Sequence, residues 1–208
     1  YNADGGEAEM CGNGARCFSN FAAALLHHDK KTTLPFETMA GVVTATFEKD
    51  GNVTVNLTNP HSMQLFVLNA DPTVGADVHF LNTGVPHAVA FLDKLEGLDI
   101  SRLGAYLRYH EAFSPKGTNA NFARILSPGH IAIRTYERGV EDETLACGTG
   151  MTACALLHAV LTDAPSPIQV DVAGGDTLKV GFQRTGDRFT DVTLTGPADL
   201  VFTGDIQI

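Results

Sequence analysis

The chain has 208 residues, of which 44% are hydrophobic and 18% charged, so it can bury a core and differs in composition from a disordered protein. Its formal net charge of −10, with lysine and arginine scattered along the chain, argues against partners such as nucleic acid or an anionic membrane surface. The longest apolar runs are too short for a transmembrane helix.

The first predicted elements are a turn at residues 12–14 and a helix over residues 15–28. Phe18, Phe21, Ala22 and Leu25 recur at helical spacing, so we expect them to form the buried face of this helix. A strand hairpin should follow over residues 34–57, because apolar and polar residues alternate on both sides of a turn at residues 50–52.

The rest of the chain alternates between predicted strands and two further helices. A helix is expected over residues 99–113, with Asp99 or Ser101 as its N-cap, and another over residues 148–161. A strand-rich chain with these helices indicates an α+β fold. The remaining predicted strands cover residues 61–68, 78–92, 119–126, 130–139, 167–174, 177–185 and 189–208.

The four cysteines are too few for a disulfide framework in a chain of this length. Their spacings, C-x5-C and C-x6-C, differ from the close C-x2-C pairs of structural zinc sites, so no metal site is predicted. We therefore expect free thiols, with Cys17 and Cys154 in the core.

Two segments far apart in the chain share one pattern. "EAEMCGNGARCFSNFAAALL" and "EDETLACGTGMTACALLHAV" each contain acidic residues, then Cys-Gly-x-Gly, then an apolar helix, with Cys11 and Cys147 at matching positions. A single Cys-Gly-x-Gly is weak evidence, but two in matching settings indicate a duplicated half-domain.

This placement of a thiol has chemical consequences. A helix start carries a partial positive charge and unpaired N–H groups, which favour a thiolate and can hold a carboxylate. If both helices point their starts at one cleft, one thiolate can remove a proton from a carbon while the other thiol donates one from the opposite side. Such a pair of thiols would invert a stereocentre.

Several motifs together resemble the diaminopimelate epimerase family: "YNADGGEAEMCGNGARC", "NTGVPHAV", "KGTNANF", "RTYERGVEDETLACGTG" and "LTGPADLVFTGDI". The resemblance covers nearly the whole chain. It implies an enzyme that interconverts LL- and meso-2,6-diaminopimelate without a cofactor, on the route to lysine and peptidoglycan. It also implies two pseudo-symmetric α/β halves, each a sheet curled around a central helix, with the site between them.

The resemblance also assigns roles to individual residues. Cys11 and Cys147 would be the acid/base thiols, and His87 and Glu137 would set their protonation, with His87 also helping to position the substrate ammonium group. Arg138 suits the distal carboxylate of the substrate through a bidentate pair. The substrate-binding residues implied are Asn2, Gly12, Asn13, Asn119, Glu137, Arg138, Gly148 and Thr149.

The chain departs from the family pattern in two places. The amino-terminal segment of the family has no counterpart, so we expect residues 1–57 with 200–208 to form an incomplete first half and residues 58–199 the second half. Many members have Asn before the Pro-His pair, where this chain has Val85; Asn82 or Thr83 is a candidate for that contact.

Other functions stay open at this point. Proline racemases and hydroxyproline epimerases have the same two-thiol arrangement, but they typically carry histidine at the position of Asn13 and lack the "YERG" stretch. Isomerases of the PhzF type lack the paired cysteines. An incompetent fragment that only binds amino acids is a third alternative.

The resemblance extends to the cellular context. Family members are often dimers, so a homodimer is possible, although no stretch of this sequence identifies an interface. We expect a cytoplasmic location, because the start of the sequence does not have a signal-peptide pattern and the thiols must stay reduced.

Overall fold

The computed structural model of this protein describes residues 11–205. The predictions for Asn2 and for a strand over residues 206–208 lie outside the described residues. None of the described helices combines the length and the hydrophobicity of a transmembrane segment.

Helices α1, Gly12–Leu25, α2, Ile100–Arg108, and α3, Gly148–Thr162, correspond to the three predicted ones, but the second prediction is too long, since a separate 3-10 turn covers Glu111–Phe113. Asp99 is the N-cap of α2, as predicted, since its carboxylate accepts a hydrogen bond from the backbone N–H of Arg102. The predicted turn at residues 12–14 is wrong. These residues are already helical, because the cap position is taken by Cys11.

The described residues contain twelve strands, and they include the predicted hairpin. A short strand, β9, was not predicted from the sequence. The strands are β1, Leu34–Thr38; β2, Gly41–Phe47; β3, Val53–Asn56; β4, His61–Asp71; β5, Ala76–Asn82; β6, Pro86–Phe91; β7, Asn119–Ser127; β8, His130–Glu137; β9, Asp142–Thr144; β10, Ile168–Asp171; β11, Thr177–Thr185; and β12, Arg188–Gly196.

The strands form one continuous mixed sheet in the order β1-β2-β3-β12-β11-β10-β8-β7-β6-β5-β4, with β9 paired to β8. The pairs β6–β7 and β8–β10 are parallel and the other pairs are antiparallel. The curled sheet surrounds α3, whose residues from Gly148 to Ala159 are all buried. The predicted α+β fold is confirmed.

The predicted buried face of α1 is wrong. Phe18, Phe21 and Leu25 are 48%, 63% and 68% exposed. The helix instead buries a row of small residues four apart, Ala15, Ser19 and Ala23, and packs against β3. Small side chains let the helix approach the sheet closely, so the large apolar residues lie on its outer side. The same geometry exposes Cys17, which was predicted to be in the core, whereas Cys154 on α3 is buried as expected.

The predicted strand at the end of the chain is too long. Strand β12 ends at Gly196, and residues 197–205 have no regular structure. Pro197 cannot donate a hydrogen bond to a neighbouring strand. The apolar residues beyond it, Leu200, Val201 and Phe202, are each more than three-quarters exposed.

Strands β3 and β12 pair with each other next to the predicted boundaries of the two halves, and we call this pairing the joint. Val53 to Asn56 pair with residues of β12, and the N–H of Leu57 donates to the carbonyl of Val192 at 2.8 Å. The same hydrophobic cluster contains Val55 from one side of this joint and Leu194 from the other. The division into two halves stays a prediction.

Candidate functional site

The two Cys-Gly-x-Gly segments lie against each other, although they are far apart in sequence. A Cβ atom added to Gly148 would stand 3.2 Å from Cα of Gly12, so the backbones of the two helix starts touch. The Asn13 side chain ties the segments together, because its Nδ2 donates to the carbonyl of Ala146 at 3.2 Å. A side chain at Gly148 would crowd the backbone of Gly12, so glycine at position 148 allows this close approach.

Each cysteine is the N-cap of its helix, but the two thiols have different environments. Cys11 is exposed, and its sulfur accepts a hydrogen bond from the backbone N–H of Gly14 at 3.3 Å. Cys147 is only 6% exposed, and its sulfur lies 3.6 Å from the hydroxyl of Thr149. The site therefore has one accessible thiol and one enclosed thiol.

Burial controls the ionisation of the enclosed thiol. Desolvation, followed by the negative charge of Glu137, raises the pKa of Cys147 to about 12. Burial also raises the pKa of the Glu137 carboxyl. The loss of hydration outweighs the hydrogen bonds from Thr149 and the backbone of Gly150, which favour the thiolate, so this thiol is protonated at neutral pH.

His87, on β6, is fully buried. Burial, followed by the positive charge of Arg138, lowers its pKa to about 3, so the imidazole is neutral. Its Nδ1 lies 3.2 Å from Nδ2 of Asn121, while its Nε2 is buried and has no hydrogen-bond partner among the described residues. An unpaired buried polar atom is uncommon in the interior of a protein and calls for an explanation, such as a role in a functional site.

Asn119 and Arg138 are neighbours, but the side chain of Asn119 is held by the backbone. Its Oδ1 accepts from the N–H of Arg138 at 2.8 Å, and its Nδ2 donates to the carbonyl of Pro86 at 2.9 Å. Asn119 thus fixes the backbone at Arg138, where the chain turns after β8. The second hydrogen on Nδ2 of Asn119 is left for a ligand. Nη1 of Arg138 lies 3.4 Å from the carbonyl of Lys116.

A cavity of about 390 Å³ opens beside Arg138, between β5 and the segment that follows α2. Its wall combines cationic side chains, Arg138 and Lys116, with apolar ones, Phe80 and Phe113. Neither Cys11 nor Cys147 lines this cavity.

Two residues that sequence reasoning missed or left open lie at the start of α3. Asn121 lies two residues after Asn119 on β7, and a Cβ atom on Gly150 would stand 2.4 Å from its Oδ1. The strand period of two was the available signal, since it puts Asn119 and Asn121 on one face. Thr83, considered above as a substrate contact, donates through its hydroxyl to the carbonyl of Thr149 at 2.9 Å.

The sequence pattern of the family described as diaminopimelate epimerase matches residues 1–63 and 79–201. The chain belongs to the diaminopimelate epimerase family. Proteins named diaminopimelate epimerase from Hydrogenobaculum sp. and Aquifex aeolicus are each 42% identical to it. These alignments cover 98% and 100% of this chain and 72% and 73% of the two relatives.

Solved structures with the same fold are more distant in sequence from this member of the epimerase family. A probable proline racemase from Agrobacterium radiobacter has a TM-score of 0.63 at 20% identity, and covers 90% of this chain and 65% of its own. A PhzF-family protein from Bacillus anthracis has a TM-score of 0.67 at 14% identity, and covers 92% of this chain and 74% of its own. At these identities the comparison establishes the fold alone.

Proposed function

We propose that this chain epimerises LL-2,6-diaminopimelate to meso-diaminopimelate without a cofactor, as a step toward lysine and peptidoglycan. The observation that carries this proposal is the contact between the two helix starts, which brings the cap positions of Cys11 and Cys147 to one place. Membership of the epimerase family and the difference between the two thiols support it.

The two thiols divide the acid and base roles. In one direction the thiolate of Cys11 takes the α-proton, and the electron pair left on the α-carbon is delocalised into the carboxylate. The protonated thiol of Cys147 then gives its proton to the opposite face. The products are a Cys11 thiol and a Cys147 thiolate, which is the starting state for the reverse reaction.

The substrate carboxylates are held by backbone and guanidinium groups. Gly12, Asn13, Gly148 and Thr149 provide the unpaired N–H groups of the two helix starts for the reacting carboxylate. Arg138, beside its cavity, is placed in the proposal at the distal carboxylate.

The proposal also gives roles to four other residues. Asn2 and Asn119 contact the substrate, while His87 and Glu137 influence the protonation of the thiols. The negative charge of Glu137 favours the protonated form of Cys147, consistent with the role of Cys147 as donor.

The decisive experiment is turnover of LL-diaminopimelate in deuterated water, monitored by NMR. We expect one deuterium at the inverted α-carbon of the product, because the donated proton comes from a thiol that exchanges with solvent. Replacement of Cys11 or Cys147 with serine should lower kcat by about a hundredfold or more, since a serine hydroxyl is a much weaker acid than a thiol and hardly ionises to the form that acts as base. Cys17→Ser, outside the site, should retain the activity.

Other outcomes would contradict the proposal in separate ways. Product without solvent label would exclude the two-thiol mechanism. Full turnover by Cys11→Ser would exclude its role as base. Turnover of L-proline or trans-4-hydroxy-L-proline, but not of diaminopimelate, would assign the chain to the alternative racemase type, and binding without turnover of any of them would identify a binding fragment.

A further inference from the structure

A buried polar network lies under Cys147 and is not explained by the roles assigned above. Its centre is Asn121, which is fully buried. Nδ2 of Asn121 is within hydrogen-bond distance of the carbonyl of Ala88, at 2.9 Å, and of Nδ1 of His87, at 3.2 Å. Its Oδ1 accepts from the hydroxyl of Thr135 at 3.0 Å. These three contacts involve both hydrogens of the NH2 group and the amide oxygen.

The orientation of the Asn121 amide follows from one of these neighbours. A backbone carbonyl can only accept a hydrogen bond, so the atom that faces Ala88 must be the NH2 group. The hydroxyl of Thr135, which can donate, then faces the amide oxygen. The second hydrogen of the NH2 group is left to point toward His87.

This orientation determines the tautomer of His87. Because Nδ2 of Asn121 donates to it, Nδ1 of His87 must present its lone pair, and the single ring proton of the neutral imidazole must be on Nε2. An imidazolium would place two N–H groups against each other. The ring is also buried and feels the positive charge of Arg138, and both effects lower its pKa.

The network is adjacent to the enclosed thiol. A Cβ atom on Gly150 would stand 2.4 Å from Oδ1 of Asn121 and 3.4 Å from the sulfur of Cys147, so both groups border the same glycine in the first turn of α3. The Nε2–H of His87 is the group in this network with no partner among the described residues.

We propose that Asn121 is a positioning residue, which holds His87 as a neutral imidazole whose Nε2–H donates to a carboxylate oxygen of the bound substrate. This inference rests on the proposed epimerase function for the identity of the carboxylate. It also limits what His87 can do. A ring with Nε2–H and an occupied Nδ1 offers no lone pair to a substrate ammonium group, so on this proposal His87 does not make the ammonium contact that the family resemblance implies.

The tautomer can be measured directly by ¹⁵N NMR of the histidine rings in the whole chain at neutral pH. The His87 signals are identified by their loss in His87→Gln. We expect a protonated Nε2 and an unprotonated Nδ1, and a shift of the Nε2–H signal when meso-diaminopimelate is added. A protonated Nδ1 in the wild-type protein would overturn the inference, and it would do so whether or not the chain turns over any substrate.

Two variants separate positioning from general support of the fold. Asn121→Ala removes the donor to Nδ1, so the single tautomer should be lost and kcat should fall about tenfold, as expected for one hydrogen bond to a charged group. Thr135→Val is the matched control, since it removes a buried partner of the same amide and leaves the donation to His87 in place. It should keep the wild-type tautomer.

The results of these experiments can be distinguished from those that test the proposed function. If Asn121→Ala and Thr135→Val retain the same tautomer as the wild-type protein, Asn121 does not control it and the inference fails. If the tautomer behaves as expected but the Nε2–H signal does not respond to meso-diaminopimelate, the donor role toward the substrate fails. If the wild-type enzyme has the expected tautomer but no epimerase activity, the function proposed above fails while the positioning by Asn121 stands.

Discussion

At the scale of single residues, burial has a larger effect on ionisation in this site than the residue type does. His87 and Cys147 both have pKa values moved strongly toward the neutral form, because hydration is lost and a nearby charge acts in the same direction. The neighbours responsible are Arg138 for the histidine and Glu137 for the cysteine. A neutral histidine and a protonated cysteine at rest are compatible with the proposed role of Cys147 as a proton donor.

His87 should make the protein sensitive to acid. Its pKa is about 3 in the fold, against 6.5 as the ordinary value, so between these pH values the unfolded chain binds a proton that the native state does not. The free energy of unfolding should therefore fall as the pH falls below 6.5, by about 1.4 kcal/mol per pH unit from this group. Urea unfolding across this range should show a smaller slope for His87→Gln than for wild type.

The control for this prediction is the exposed Met39, whose side chain does not titrate. Met39→Ala should leave the slope as in the wild-type protein. His79 and His158 also have pKa values lowered by burial, so the His87 variant should remove one part of the acid sensitivity and not all of it. An unchanged slope in His87→Gln would contradict the assignment of a buried neutral ring.

The thiols should differ sharply in their reaction with iodoacetamide. Cys11 and Cys17 are exposed, whereas Cys147 and Cys154 are buried and burial raises their pKa values. We expect peptide mass spectrometry of the native protein to find alkylation at the first pair well before the second. In denaturant all four should react together. Equal rates for Cys11 and Cys147 in the native protein would contradict the enclosed site described for Cys147.

At the scale of elements, α1 and α3, which both begin at a Cys-Gly-x-Gly segment, pack in different ways. Helix α3 is buried through most of its length, while α1 buries a row of small residues and exposes its large ones. What they share is the contact between Gly12 and Gly148, where the two helix starts meet. The separation of the thiols depends on this contact.

A methyl group at Gly148 should separate the helix starts. The added Cβ would be 3.2 Å from Cα and 3.3 Å from N of Gly12, which are backbone atoms that cannot rotate away. We expect Gly148→Ala to lower kcat/KM by at least about tenfold, since small displacements of reacting groups are costly, and to lower stability by about 1–3 kcal/mol. Kinetics and urea unfolding measure the two effects.

Gly12→Ala is the comparison for this prediction. Its added Cβ would meet a methyl carbon of Leu194 at 2.8 Å, at the end of a side chain that can change rotamer. We expect a smaller loss of kcat/KM than for Gly148→Ala. The reverse order of the two variants would show that the contact between the helix starts does not set the geometry of the site.

At the scale of the whole molecule, one sheet and one large hydrophobic cluster run through both predicted halves. Strand β3 pairs with β12, and the cluster includes Val43 and Val55 as well as Leu178 and Leu194. The two helix starts meet close to this joint, since Leu194 contacts the added Cβ position at both Gly12 and Gly148. The joint is therefore both a structural connection and a support for the site.

We expect the described part of the chain to unfold in one cooperative transition. Loss of the β3–β12 pairing would expose apolar residues of both predicted halves at once. Hydrogen exchange with mass spectrometry, measured over a series of urea concentrations, should give the same free energy of opening for β2–β3 as for β6–β7. Val55→Ala should lower both values together, whereas the exposed Met39→Ala should change neither. Opening of β2–β3 at a clearly lower urea concentration would identify two independent units.

The sequence by itself determined the positions of the helices, most strands, the cap at Asp99 and the repeated Cys-Gly-x-Gly pattern. These features depend on residues close together in the chain, such as the alternation in the hairpin over residues 34–57 or the carboxylate before α2. Local periodicity is sufficient for them because the hydrogen bonds concerned are local. It also led to the family, through motifs that keep their order and spacing.

Only the tertiary structure decided which face of α1 is buried, which thiol is enclosed and how Asn121 holds His87. Periodicity shows that a helix has an apolar face, but what lies opposite that face is supplied by strands distant in sequence. The same holds for ionisation. The proton affinity of Cys147 is set by lost hydration and by the charge of Glu137 on another element, and neither can be read from a Cys-Gly pair alone.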